Sequence, residues 1–212
     1  MSKRLWDKGE DINKRVHLFT VGDDPKTDLN IVKHDILASA AHARMLEKVG
    51  LLKKNELSSL LNGLKTILKE YQSGNFTIPD ELEDCHTTIE DKLTTALGEP
   101  GRKIHTGRSR NDQVMVAMRL YLREQIVEIL SALEINCTAI LTRSAEIGHV
   151  VMPGYTHFQH AMPTSVAIWL NSFAESFLEL IREGISLLEN VNCNPLGAAS
   201  GFGVNLPIDR SE

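Results

Sequence analysis

Residues 112–147 read DQVMVAMRLYLREQIVEILSALEINCTAILTRSAEI, with no Pro and no Gly anywhere in the run. Such a stretch predicts a single helix, and at 1.5 Å per residue it would extend about 50 Å. Few helices of single domains are that long, so the chain on either side has to be understood as what packs against it.

Downstream, VVMPGYTHFQHAMPTS at 150–165 carries two prolines and a glycine and reads as a connecting loop. From Val166 to Val191 the helical pattern resumes, with Thr164 as its expected cap, so two long helices should lie antiparallel. Their outer apolar positions, Ile126, Leu130, Trp169, Phe173, Phe177 and Ile181, exceed what one antiparallel pair covers and call for further helices, from more sequence or from other subunits. The tail NPLGAASGFGVNLPIDRSE at 194–212 is rich in Gly, Ala and Pro and has no helical period.

Upstream, Leu29, Val32, Ile36, Ala40, Ala43 and Leu46 step by three and four, which predicts a helix from Leu29 to Val49 stopped by Gly50. A second helix is expected from an N-cap at Asn55 to Gly74, with Leu57, Leu60, Leu61, Leu64, Ile67, Leu68 and Tyr71 inside. A third should run from about Pro79 to Leu97, with Leu82, His86, Ile89, Leu93 and Leu97 on one face. There is no internal repeat, no low-complexity run and no βαβ alternation. The expected fold is all-α: a small N-terminal helical domain at 1–111, then the first part of a long-helix bundle at 112–212.

Composition narrows the function. The 212 residues, 42% hydrophobic, can bury a sizeable core, and a net charge of -5 disfavours nucleic acid and anionic membrane as partners. Cys85, Cys137 and Cys193 are odd in number and widely spaced, which fits a reducing cytosol and a cytoplasmic protein. The N-terminal MSKRLWDKGEDINKRV has no apolar signal core, and no run of eighteen uninterrupted apolar residues occurs.

The chemistry-bearing stretch is GRKIHTGRSRNDQV at 101–114. With Asn111 or Asp112 as N-cap of the long helix, Ser109, Arg110 and Asn111 gather at its positive end beside N–H groups that lack intrahelical partners, which makes an anion site. Arg can hold a carboxylate through two parallel bonds, so a carboxylate-bearing substrate is expected. A bland account makes Asp112 a simple cap and the arginines surface charge. The glycines resemble a phosphate loop only superficially, since five residues separate them and no strand precedes. His86 should meet Glu90 one turn later as a buried, satisfied pair. His157 sits in the YTHFQH loop beside Thr156 and Gln159, where an imidazole could serve a pocket. His157 and His160 could share a metal, but no third ligand is near, so no metal and no cofactor is expected. Asp28 is explained as the N-cap of the first long helix.

Taken together, DCHTTIE at 84–90, IHTGRSRNDQV at 104–114 and MPGYTHFQHAMP at 152–163 resemble, in order and spacing from Trp6 to Arg210, the argininosuccinate lyase family of the fumarase/aspartase superfamily. The resemblance implies β-elimination of argininosuccinate to arginine and fumarate without a cofactor. It also implies a homotetramer with active sites between subunits. By resemblance, His157 is the acid/base residue with Thr156 beside it, and Ser109, Arg110, Asn111, Thr156 and Gln159 bind substrate. His86 lines the pocket, and Asp28 matches a position close to substrate. The family's serine loop and third domain would lie beyond residue 212, so the chain is expected to be the N-terminal portion of a longer lyase, inactive alone. The alternatives are a crystallin-like structural protein derived from the lyase and another fumarate-releasing lyase of the superfamily.

Overall fold

The computed structural model describes residues 13–197 and 199–211. Trp6 and the N-terminal run up to Ile12 lie outside the described residues. The elements are α1 (Lys14–Val21), α2 (Asp24–Thr27), α3 (Val32–Lys48), α4 (Lys54–Gln72), α5 (Cys85–Leu97), α6 (Glu99–Arg102), α7 (Arg110–Ile147), β1 (Val151–Thr156), β2 (Gln159–Ser165) and α8 (Val166–Val191). The fold is mostly helical, as the periodicity predicts.

Contacts divide the chain into two compact units, Met1–Tyr121 with Asn194–Glu212, and Leu122–Cys193. The division falls ten residues beyond the junction at 111/112 read from the sequence, and the tail packs with the first unit.

In the first unit α3, α4 and α5 bury Val32, Ile36, Leu46, Leu60, Leu64, Ile89 and Leu93 around one core, closed by Ile104 and Ala117. Gly63, inside α4, faces α5: a Cβ there would stand 2.7 Å from Leu93 Cδ2. The side chain is absent so that the helices can meet. From the tail, Ile208 packs against this core and Asp209 pairs with Lys48 at 3.0 Å. Burial without a helical period is how an irregular tail contributes.

Several expected boundaries move, each for a local reason. The first long helix begins at Val32, because Asp28–Asn30 form a 3₁₀ turn ahead of it. The second is entered at Lys53, not Asn55: the Lys53 N–H donates to Glu56 Oε2 at 2.8 Å, satisfying one end of the helix with a side chain three residues on. The third does not start at Pro79. Asp80–Leu82 make a 3₁₀ turn, Glu83 takes a left-handed φ of 69°, and Asp84 caps α5 by accepting from the Thr87 N–H.

In the second unit α7 and α8 are antiparallel, as expected. Arg123 Nη1 donates to Asn192 Oδ1 at 3.1 Å, Leu130 fills the space at Gly184, and the Cys137 thiol lies 3.7 Å from the Ala174 carbonyl. Ile126 and Leu130 therefore do not belong to the outer surface; Ile126 is buried. Trp169 and Phe173 do stay exposed, edge to face at 5.7 Å. By length and composition α7 could cross a membrane, although Arg119, Arg123, Glu124, Glu128 and Glu134 interrupt its apolar run.

The connecting loop is a correction: residues 151–165 form an antiparallel hairpin. Val151 pairs with Ser165, Met152 with Thr164, Pro153 with Pro163, Tyr155 with His160 and Thr156 with Gln159. Prolines are tolerated because each strand has an unpaired edge. The turn is His157–Phe158, with φ of 49° and 60°. Tight hairpin turns need that pair of positive φ values, usually supplied by Asn or Gly, so the turn carried no compositional signal. Ser165, not Thr164, caps α8 by accepting from the Ile168 N–H at 3.3 Å.

Candidate active site

The entry to α7 is a reciprocal cap. The Ser109 N–H donates to Asp112 Oδ2 at 2.9 Å, and the Asp112 N–H donates to Ser109 Oγ at 3.2 Å. The cap is thus Ser109, neither Asn111 nor Asp112, and the arrangement is a capping box with Asp in the acidic position. The earlier cap leaves the backbone N–H groups of Arg110 and Asn111 inside the first turn, without intrahelical acceptors and at the positive end of the helix. The Asn111 side chain is exposed beside them.

Arg110 is held on its flank. Its Nη1 donates to Glu90 Oε1 at 2.9 Å and to Gln113 Oε1, and its Nη2 donates to Thr87 Oγ1 at 3.2 Å. This guanidinium is neither the loose surface charge of the bland account nor wholly free to clamp a carboxylate. Glu90 also faces His105 Nδ1 at 3.0 Å. Burial works to raise the Glu90 carboxyl, but His105 and Arg110 outweigh it and hold it below its ordinary value.

Glu90 is therefore not the partner of His86. His86 Nδ1 lies 3.0 Å from Asp35 Oδ2, with the two side chains 1% and 0% exposed. The cause is rotation: position 90 faces α7, whereas position 86 faces α3. Gln113 Nε2 donates to both Asp35 oxygens at 3.0 Å, and Ser39 Oγ donates to Asp35 Oδ1 at 3.3 Å. Arg108, 3% exposed, donates from Nη1 to Ser39 Oγ at 3.2 Å. Burial pushes against the Asp35 anion, yet His86, Arg108 and Gln113 together lower its pKa. A continuous polar seam thus runs from His86 through Asp35 and Gln113 to Arg110 and Glu90. His86, being buried, does not line an open pocket.

Asp28 does not cap α3. Its Oδ2 accepts from the Cys85 N–H at 3.0 Å, at the start of α5, and its half-buried carboxyl is raised by burial against that stabilising bond. Cys85 is buried, and burial, with Asp35, Asp28 and Asp84 near it, pushes its thiol strongly up.

Thr156, His157 and Gln159 lie in the second unit at the exposed end of the hairpin. Below them Tyr155 Oη and His160 Nε2 are 3.0 Å apart, so His160 braces the strands, a role the sequence did not suggest. The structure brings Ser109, Arg110 and Asn111 together on one turn and Asp28 close to His86 in the first unit; the hairpin group belongs to the other unit. Asp35, Gln113 and Arg108 were missed. For Asp35 the signal was polar residues at apolar phases, Asp35, Ser39 and His42 stepping by four and three along the buried face of α3.

Residues 17–212 match the family described as Lyase, and the chain belongs to it. Within that family it is 44% identical over 211 residues to argininosuccinate lyase of Bacteroides thetaiotaomicron, covering 100% of this chain and 47% of that protein. The chain spans about half the length of the curated relatives it matches. Among solved structures, an EDDS lyase variant with bound fumarate superposes with a TM-score of 0.76 at 25% identity, over 96% of this chain and 40% of that one. A fumarate lyase:delta crystallin from Brucella melitensis shares the fold, with a TM-score of 0.71 at 17% identity over 87% of this chain and 44% of that one.

Proposed function

We propose that the whole protein is a carbon–nitrogen lyase that splits argininosuccinate into arginine and fumarate, serving arginine biosynthesis as a cytoplasmic homotetramer. The observation that carries this reading is the similarity to argininosuccinate lyases along the whole of this chain, with Ser109, Arg110 and Asn111 set at a helix start. Elimination removes a proton from the carbon beside a carboxylate and expels the guanidinium nitrogen. The free N–H groups of Arg110 and Asn111 and the Asn111 amide hold the succinyl carboxylate and stabilise the charge that develops. Arg110, fixed by Glu90, adds positive potential at a set position. His157 serves as the acid/base group, with Thr156 and Gln159 holding substrate beside it. Asp28 and His86 support this site from the α5 start, His86 from within the core.

The test is to incubate the complete purified protein separately with argininosuccinate, adenylosuccinate, aspartate and malate, following fumarate by its ultraviolet absorbance. Turnover of argininosuccinate alone is expected. Turnover only of another substrate assigns a sister lyase, and a folded oligomer inert to all four supports the crystallin-like alternative.

A further inference from the structure

Behind the start of α5, Asp28 and His86 gather with Cys85, to which the proposed reaction gives no role. A carboxylate oxygen of Asp28, the Cys85 sulfur and a ring nitrogen of His86 all lie within 4.8 Å of one another. His86 is 1% exposed, its Nδ1 faces Asp35, and its Nε2 has no hydrogen-bond partner among the described residues. A buried imidazole nitrogen left without a partner costs free energy unless something else satisfies it.

We propose that Asp28, Cys85 and His86 form a binding site for a borderline divalent cation of the zinc or cobalt kind, with Asp35 orienting the histidine from behind. Thiolate, imidazole and carboxylate are the donor set such ions take, and their ligand atoms already lie within 4.8 Å of one another. A carboxylate on the far ring nitrogen is the support that metal-bound histidines ordinarily have: it fixes the ring and leaves Nε2 as the donor. Charge balances as well. A divalent cation with one thiolate, one carboxylate and a neutral imidazole makes a neutral unit, which a buried position tolerates far better than separate charges. Binding releases the Cys85 thiol proton to solvent, and the half-buried Asp28 side leaves a fourth position for water. The site does not depend on which substrate the enzyme splits.

The experiment titrates the untagged protein with Co²⁺ and reads absorption. One equivalent should bring a thiolate-to-cobalt charge-transfer band with tetrahedral d–d bands, reversed by Zn²⁺. Replacing Cys137 and Cys193 by Ser should leave the band intact, whereas Cys85→Ser should abolish it. Asp35→Asn should weaken Co²⁺ binding by about 10-fold to 100-fold, the scale for losing such a support. Absence of the band in folded wild type, as when Nε2 is satisfied by water alone, or its persistence in Cys85→Ser, overturns the proposal. Should Cys85→Ser fail to fold, Asp28→Asn decides instead: at least tenfold weaker binding supports the site, and an unchanged Kd overturns it.

Discussion

At the start of α7, Arg110 is gripped by Glu90, Thr87 and Gln113, and Gln113 is held in turn by buried Asp35. At the β1–β2 turn, Thr156, His157 and Gln159 are all exposed on a two-stranded ribbon braced by Tyr155 and His160. The first group is locked by its own unit, so its residues carry stability alongside their proposed chemistry. The second has little around it within its unit, so its residues can be changed without disturbing the core. A two-stranded hairpin alone is marginally stable, and the function of such an element depends on what it meets in the whole protein.

That contrast can be broken most forcefully at His157. In the complete enzyme His157→Asn should lower kcat by about 10²-fold to 10⁴-fold, the usual span for a lost general acid or base, with no change in Tm. A parallel fall in Tm would show that the hairpin is as integral as the α7 start. Asp35→Leu should do the reverse, costing about 3–5 kcal/mol by denaturant unfolding, because His86, Gln113 and Arg108 lose their shared anion in a buried setting. A cost below about 1 kcal/mol would mean that the seam does not hold the first unit together.

His42 sharpens the comparison through pH. It is buried, and its Nε2 donates to the Thr106 carbonyl at 3.0 Å, a bond that by itself favours the charged ring. Burial first, then the positive Arg108, drops its pKa from 6.5 to about 4. Between those values the unfolded chain binds the extra proton, so stability is held above pH 6.5 and lost as pH falls toward about 4. His42→Gln should flatten this window, removing a pH-dependent component on the order of 3 kcal/mol. Unchanged slopes in denaturant melts between those pH values would remove His42 as their source. The smallest effect is expected at Ser109→Ala, about 1 kcal/mol of stability from one side of the capping box. No measurable loss of Tm would show that Asp112 alone secures the helix start.

The sequence revealed helices wherever apolar residues repeated over several turns, as in α3, α4, α5, α7 and α8, because a stripe that must be buried leaves a period behind. It marked GRSRND and YTH as polar stretches set apart from the apolar period as well, through residue types at particular places. Caps were less legible. Ser109, Lys53 and Ser165 differ from the expected Asn111 or Asp112, Asn55 and Thr164 by one to three positions, since neighbouring polar residues compete for the same N–H groups and only backbone geometry selects among them. The hairpin was hidden because His157 and Phe158 hold φ values that carry no residue signature here.

What the sequence alone determined, then, is the helical class, the great length of α7 and the polar residues available at its start, all properties of one segment at a time. Only the tertiary structure decided that Asp28 accepts from the Cys85 N–H at the start of α5, that His86 turns to Asp35 rather than Glu90, and that Glu90 instead takes Arg110 and His105. These are pairings between segments up to 57 residues apart. A carboxylate buried in a core must find a cation or donors whatever their distance along the chain, and which one it finds depends on how the helices rotate and meet.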